Sequence, residues 1–358
     1  MRKFLYKILV TGGAGFIGSA FVRLLLNRDC PRHMAKGLSP QEAISKDTKG
    51  TVPKLIVVDK LTYAGDLERL KEVNGKYKFY KTDICDKKSI ESIFKRENPH
   101  IVVNFAAESH VDRSILDSTA FIQTNVIGTQ VLLDLSRKYK IKKFIQISTD
   151  EVYGEIKKGK FSENSPLKPN SPYAASKASA DLLIKSYIRT YGFPAIIIRP
   201  CNNYGHWQYP EKLIPLSILK IVKNEKVPVY GNGKNRREWL YVPDCARGIL
   251  KIMEAGEIGD IYNLGSGEEK ENIAVVSKII SILERSKSLI SFVRDRPGHD
   301  YRYSLFSSKI HKLGWVPQID FEKGIMQTMH WYIQNSAWLV KKAKSLIDFE
   351  REFKRHST

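Results

Sequence analysis

Through the first 200 residues, short unbroken apolar runs alternate with longer stretches in which apolar positions recur at helical spacing. The runs are "KILVTG", "KLIVVDK", "KFYKTD", "HIVVNFAA", "KFIQISTD" and "AIIIRP"; the helix-like stretches include 20–27, 88–96, 125–139 and 174–190. Strands without polar alternation are those covered on both faces, so the cadence predicts βα repeats around a buried parallel sheet, an α/β doubly wound fold. Residues 28–53 break the cadence, being longer than a compact connection requires. They are read as a surface insertion in which Ser39-Pro40-Gln41-Glu42 offers a helix start. Beyond about residue 200 the strands shorten, turns such as Gly231-Asn232-Gly233 appear, and Arg, Asn and Tyr collect in the loops. The expected division is a nucleotide-binding domain over 1–200 and a smaller, mainly substrate-binding lobe over 201–358, with some later segments returning to the main sheet.

Composition narrows this little but excludes much. At 358 residues with 42% hydrophobic and 10% aromatic content the chain can bury a large core, and no apolar run approaches the roughly 18–20 residues that span a bilayer. The basic-then-apolar start is cut by Thr11-Gly12-Gly13 with no cleavage-like site after it, and reads as a first strand rather than a signal peptide. Cys30, Cys85, Cys201 and Cys245 are far apart without a C-x-x-C pair, so neither a metal site nor a disulfide framework is expected, and a reducing cytoplasm is. The net charge of +21 comes from lysines scattered along amphipathic segments. That pattern fits solvated faces better than a specific nucleic-acid surface, with attraction for a phosphate-bearing small substrate as a by-product.

The chemistry starts in "ILVTGGAGFIGSAFVRLLL", where Gly12, Gly15 and Gly18 join the first strand to the first helix. Glycines there let the backbone approach a pyrophosphate while the helix N-terminus offers free N–H groups, the arrangement of a Rossmann-like dinucleotide site. Phe16 and Ile17 belong to the same turn. Asp59 closes the second strand, where a carboxylate accepts ribose hydroxyls and repels a 2′-phosphate, favouring NAD over NADP; Lys60 and Thr62 follow it. Asp83 and Ile84 in "TDICD", and Ala106 and Ala107 in "NFAAESH", lie at later strand ends expected to meet the adenine and the nicotinamide. In "SPYAASKASADLL" Tyr173 and Lys177 stand four apart on one helix face. A phenol titrating near 10 is a poor base unless an ammonium and a cationic ring lower it.

These features, with "VDKLTYAG", "AAESHVDRSI", "STDEVYG", "NNYGHWQYPEKLIP", "REWLYVPD" and "RPGHDYRY", resemble the extended short-chain dehydrogenase/reductase family from Lys7 to about Trp331, and within it the nucleoside-diphosphate-hexose 4,6-dehydratases. The resemblance implies an NAD-dependent elimination on a sugar nucleotide, dTDP-glucose by preference, leading toward deoxysugars. Tyr173 with Lys177 would serve oxidation at C4, and Thr149 would hold the C4 hydroxyl. Glu151 would take the C5 proton and Asp150 would protonate the departing C6 hydroxyl. Two adjacent acids in opposite protonation states suit that task. Consecutive strand residues face opposite ways, so both reach one substrate only if the strand has ended before them.

By the same resemblance Asn203, Glu211, Lys212 and Leu213 would contact the substrate, as would Ser109 and His110 on the sugar side. Arg237, Asn272 and Arg296 would hold the diphosphate with Tyr303 nearby, and Pro228 and Tyr230 would wall the base. Two stretches depart from the family pattern: Cys245 stands where His is more usual, and His206-Trp207 where Pro-Tyr or Pro-Arg is. Both bear on which nucleotide and sugar fit. UDP- or CDP-hexose dehydration, a 5,6-elimination and 4-epimerisation are the related alternatives; a non-catalytic nucleotide or nucleic-acid binder is the distant one. Family members commonly pair through a four-helix bundle, and the surplus apolar positions of 125–139 and 174–190 fit such a homodimer.

Overall fold

The computed structural model describes residues 6–26 and 54–344. The expected insertion over 28–53, with its helix start at Ser39, lies outside the described residues. Twelve strands are formed among them: β1 (Lys7–Thr11), β2 (Lys54–Asp59), β3 (Lys78–Lys81), β4 (Ile101–Asn104), β5 (Lys143–Ile147), β6 (Ala195–Pro200), β7 (Asn202–Tyr204), β8 (Val227–Tyr230), β9 (Arg236–Tyr241), β10 (Ile261–Leu264), β11 (Glu269–Glu271) and β12 (Ile290–Val293). Seven make the central sheet in the order β10-β6-β5-β4-β1-β2-β3, every pair parallel.

The apolar runs are continuous because the sheet is covered twice. Val10, Val57, Val103, Ile145 and Ile196 face one core with Phe21 and Ile249, while their neighbours Leu9, Ile56, Val102, Phe144 and Ile197 face the other with Phe94 and Leu132. Each such side chain contributes about 1.5–3 kcal/mol by leaving water. β1 lies between β2 and β4, so successive crossovers leave it in opposite directions and open a crevice beyond the strand C-termini.

Helix ends follow from local chemistry. Asp86 accepts from Ser89 N to start Lys87–Glu97, and Asn98 ends it at φ 47°. Ser171 caps Pro172–Tyr191 by accepting from Ala174 N, proline occupies the first turn, and Gly192 closes the helix at φ 61°. The stretch expected as a helix over 125–139 starts earlier and is not uniform: a π-helical segment, Ile122–Gly128, leads into an α-helix, Thr129–Lys138. The wide turn places Asn125 where its amide exchanges bonds with the backbone of Glu108 (2.9 and 3.0 Å) and donates to Ser176 Oγ (2.8 Å). The loop after β4 is thereby fastened to the Tyr173 helix.

A second core, with Tyr204, Ile218, Trp239, Val276, Phe321, Tyr332 and Trp338 at its centre, holds the sheets β11-β9-β7 and β12-β8. Between these pieces the helix Val242–Ala255 returns to pack on Phe16–Leu26, and β10 pairs with β6. Among the described residues no helix is long and apolar enough to cross a membrane, and no group of three or more His, Cys, Asp or Glu is gathered as for a metal ion.

Candidate active site

Three connected cavities follow the crevice. The largest, ≈ 270 Å³, is lined by Gly12, Gly15, Phe16, Ile17, Gly18, Ala107, Ser109, Thr149, Asp150, Glu151, Tyr173, Lys177, Asn203, Glu211 and Lys212. A narrower one of ≈ 110 Å³ shares Gly12, Gly15 and Ala107 with it and adds Asp59, Lys60, Thr62, Asp83, Ile84 and Ala106. The third, ≈ 230 Å³, shares Asn203, Glu211 and Lys212 and adds His110, Leu213, Pro228, Tyr230, Arg237, Asn272 and Arg296. Of the cofactor, catalytic and substrate candidates named in the sequence, Tyr303 alone lines none of the three. It is 2% exposed, its hydroxyl donates to Asp300 Oδ2 at 2.5 Å, and the Arg237 guanidinium lies over its ring at 4.2 Å. Tyr303 therefore backs Arg237 instead of facing a ligand.

The glycine turn has the shape a dinucleotide requires. A Cβ on Gly12 would stand 2.6 Å from Ala106 N, with φ already at +65°, and one on Gly18 would stand 2.2 Å from Gly12 O. Only glycine lets the helix start press against the strand end and leave its N–H groups open. Asp59 lies in the adjoining cavity with Oδ2 accepting from Ala14 N (2.9 Å) and Oδ1 from Leu61 N (2.8 Å). Lone pairs remain for a ribose diol, and the carboxylate charge opposes a 2′-phosphate. Lys60 Nζ pairs with Asp83 Oδ2 at 2.7 Å, joining the two strand ends of the adenosine side.

Asp150 and Glu151 line one cavity because the strand has already stopped. β5 ends at Ile147, Thr149 keeps an extended backbone, and Asp150–Tyr153 form one 3₁₀ turn capped by Thr149 Oγ1, which accepts from Glu151 N at 3.3 Å. The turn leaves through Gly154 at φ +77°, where a Cβ would lie 2.2 Å from Lys168 O. Burial, then Glu151, then Glu238 push the Asp150 carboxyl well above the ordinary range, and its Oδ2 is buried without a hydrogen-bond partner. Burial also raises Glu151, but Arg296, Arg237 and Lys212 oppose the rise. Both carboxyls are thus raised, but the three cations oppose the rise only at Glu151, which favours a proton on Asp150 first.

Tyr173 and Lys177 are 8% and 3% exposed on the Pro172–Tyr191 helix. The ammonium donates to Ile147 O at 2.6 Å and is brought down to about 8 by burial. The lowering expected of the phenol is tied to an ammonium and a cationic ring, and the chain by itself supplies no ring. Burial raises the phenol first and the carboxylates of Glu151 and Asp150 add to this, with a hydrogen bond to Thr149 in opposition.

In the third cavity Arg296 Nη1 donates to Asp112 Oδ1 at 3.0 Å, whereas its buried Nε has no partner. Arg237 is largely occupied: Nη1 donates to Arg236 O and Tyr301 O, and Nη2 to Asp300 O at 2.8 Å. Its fixed charge reaches the acids more than its donors reach the cavity. Tyr230 gives its hydroxyl to Asp112 Oδ2 at 2.9 Å, so it is a polar wall as much as an apolar one. Lys212 Nζ donates to Ser109 O at 3.1 Å. His110 accepts from Arg113 N at 3.4 Å, heads the short helix Val111–Leu116, and is held neutral by burial, down to about 3.

Sequence reasoning missed several lining residues. Asn202, Gln208 and Tyr209 belong to the "NNYGHWQYPEKLIP" stretch, Asp112 to "AAESHVDRSI" and His299 to "RPGHDYRY", and all were within reach; Arg69 carried no local signal. The departures from the family pattern lie outside the three cavities. His206 stacks on Trp331 at 5.7 Å, Trp207 packs on Trp331 and Trp338, and Cys245 is wholly buried.

Residues 42–328 match the family model described as GDP-mannose 4,6 dehydratase. The chain is 45% identical to a dTDP-glucose 4,6-dehydratase of Escherichia coli over 365 residues, covering 93% of this chain and 95% of that one. Among solved structures it is similar to the dTDP-glucose 4,6-dehydratase DesIV of Streptomyces venezuelae with NAD bound, at TM-score 0.85 and 43% identity over 93% of this chain and 98% of that one. A UDP-glucose 4-epimerase of Thermotoga maritima matches at TM-score 0.81 and 30% identity, over 92% and 99%. With relatives this similar along nearly its whole length, the chain belongs to the GDP-mannose 4,6 dehydratase family of sugar-nucleotide dehydratases.

Proposed function

We propose that the protein dehydrates dTDP-glucose to dTDP-4-keto-6-deoxyglucose with NAD as resident cofactor. The observation that carries this reading is a pair of adjacent carboxyls, Asp150 and Glu151, both raised by burial but unequally, with three cations opposing the rise at Glu151, in the cavity that also holds Tyr173 and Lys177. Gly12, Gly15 and Gly18 cradle the cofactor diphosphate and Asp59 takes the adenosine ribose. Asp83, Ile84, Ala106 and Ala107 line its path. NAD, when bound, supplies a hydride acceptor for C4, the same hydride later for C6, and a ring charge that favours the Tyr173 phenolate.

Tyr173 then receives the proton of the C4 hydroxyl, with Thr149 orienting that oxygen and Lys177 stabilising the phenolate from the next turn. A ketone at C4 acidifies C5, and Glu151, kept charged by Arg296, Arg237 and Lys212, removes that proton. Asp150 gives its proton to the C6 hydroxyl, which leaves as water. Glu151 exchanges its proton with solvent and then protonates C5 after C6 has been reduced, while Tyr173 releases to solvent the proton taken from the C4 hydroxyl and Asp150 takes one up, so the cycle closes with no net proton gained. The substrate diphosphate is assigned to Arg296, whose buried Nε lacks a partner, with Lys212 and Asn272 beside it.

A 4-epimerase has no step for Asp150 and Glu151, so the epimerase-like fold does not carry that reading. The test is incubation with dTDP-glucose, and with UDP- and CDP-glucose in parallel, in D2O. A 4-keto-6-deoxy product with deuterium at C5 is expected from the dTDP sugar. A C4 epimer, a 5,6-eliminated product or unchanged sugar with every donor overturns the proposal.

The division of labour proposed is cofactor binding by residues 1–200 and sugar-nucleotide binding mainly by the rest. We also propose that two copies pair through the helices after β4 and β5, where Leu116, Ile122, Ile127 and Leu182 are exposed, and that the enzyme works in the cytoplasm.

A further inference from the structure

We propose that Tyr63 couples the two halves of the site: it is a positioning residue through which an occupied cofactor cavity holds Glu211 ready for the sugar nucleotide. The inference rests on the cofactor and substrate reading given above. Tyr63 sits between Thr62 and Ala64, both of which line the adenosine-side cavity. Its own side chain leaves that cavity: the hydroxyl donates to Glu211 Oε1 at 3.2 Å, and the ring meets Tyr209 edge-on at 5.3 Å. The Arg113 guanidinium covers the ring at 3.7 Å and also approaches Glu211 Oε2 at 3.5 Å. Glu211 lines both the largest cavity and the third one, and its side chain is 3% exposed.

A carboxylate so deeply buried depends on its few partners, and removing one turns or unsettles it. One partner belongs to the loop after β2, on which the cofactor lies. The other, Arg113, touches Tyr63 and Glu211 together. His110 completes the contact at 3.7 Å from Glu211 Oε2 but carries no charge at neutral pH, so Arg113 dominates it. Whatever orders residues 62–64 thereby orders Glu211, and the second ligand has less left to fix. Linkage makes the effect reciprocal, so each ligand tightens the other by one factor.

The test is a four-way titration of the full chain freed of nucleotide: NAD alone, thymidine diphosphate alone, and each in the presence of the other. In the natural protein each ligand should raise the affinity for its companion by the same factor, about fivefold or more. Tyr63→Phe, which keeps the ring under Arg113, should bring that factor close to one while leaving each single affinity within about twofold. A merely structural role would instead weaken the single affinities. If Tyr63→Phe does not fold, Tyr63→Leu takes its place in the same titrations. Equal coupling in the variant, or no coupling in the natural protein, overturns the inference. Failure of the natural protein to bind NAD or thymidine diphosphate at all would instead overturn the functional reading.

Discussion

At the residue scale the site turns on where one proton rests. Asp150 and Glu151 are neighbours in sequence, yet Glu238 faces the first while three cations favour the ionised form of the second. Glu151→Gln should lower turnover roughly 10²–10⁴-fold, the usual weight of a general base, and abolish deuterium entry at C5 when product is formed in D2O. Undiminished C5 exchange in that variant would remove Glu151 from the proton transfer. The same burial has a stability consequence of fixed sign. The folded protein holds the Asp150 proton more tightly than the unfolded chain, whose carboxyl titrates near 3.8. Below that pH both states are protonated and the group's contribution is fully present; it is lost as pH rises through the higher, folded value. Asp150→Asn should therefore unfold at higher denaturant than the natural protein at neutral pH, by roughly 0.5–2 kcal/mol, the range usual when stability is traded for function. The difference should vanish near pH 4. Equal stability at pH 7 would mean that the carboxyl is solvated rather than buried.

At the scale of the element, the acids owe their common direction to a single 3₁₀ turn between β5 and Gly154. Gly154→Ala must bring a Cβ to within 2.2 Å of Lys168 O at a φ of +77°. The expected cost is about 1–3 kcal/mol of stability. Activity should fall further than stability explains, since the turn has to shift to admit the methyl. Turnover and thermal unfolding of the purified variant check this together; full activity would show that the turn tolerates the shift. The π-helical turn at Ile122–Gly128 has a parallel duty, because it lets Asn125 reach both Glu108 and Ser176. Wide turns of this kind often mark functional positions in helices.

At the scale of the molecule, the cofactor crevice of the parallel sheet meets a second core built from β7–β9, β11 and β12, and the reaction cavity lies where they join. The exposed Leu182 lies on the helix that carries Tyr173, and the exposed Ile122 opens the π-helical segment packed against that helix. The natural protein should elute as a dimer in light-scattering chromatography, and Ile122→Glu combined with Leu182→Glu should yield monomers, because a charge buried without a partner in an apolar seam is strongly unfavourable. A natural protein that is monomeric at micromolar concentration would discard the pairing.

The sequence by itself determined the elements that answer to local physics. Five strands of the main sheet were legible as apolar runs, since both faces of a parallel sheet are covered, and the edge strand β3 from Phe79-Tyr80 alone. The glycine turn was legible from its spacing, because only glycine permits that approach, and the Tyr173/Lys177 pair from the helical repeat. What depended on distant partners was not legible. In the chain without its cofactor the phenol of Tyr173 is raised by burial and by two neighbouring acids, which its own sequence neighbourhood does not show. The Tyr303 hydroxyl is taken by Asp300, and three bonds of Arg237 go to the carbonyls of residues 236, 300 and 301. Arg69 on the 3₁₀ segment Leu67–Val73, Asp112 on the helix Val111–Leu116 and His299 on its loop line the cavities only because the tertiary structure brings those segments together. Side-chain protonation and partner choice are set by what folding places nearby, and that neighbourhood is a property of the tertiary structure alone.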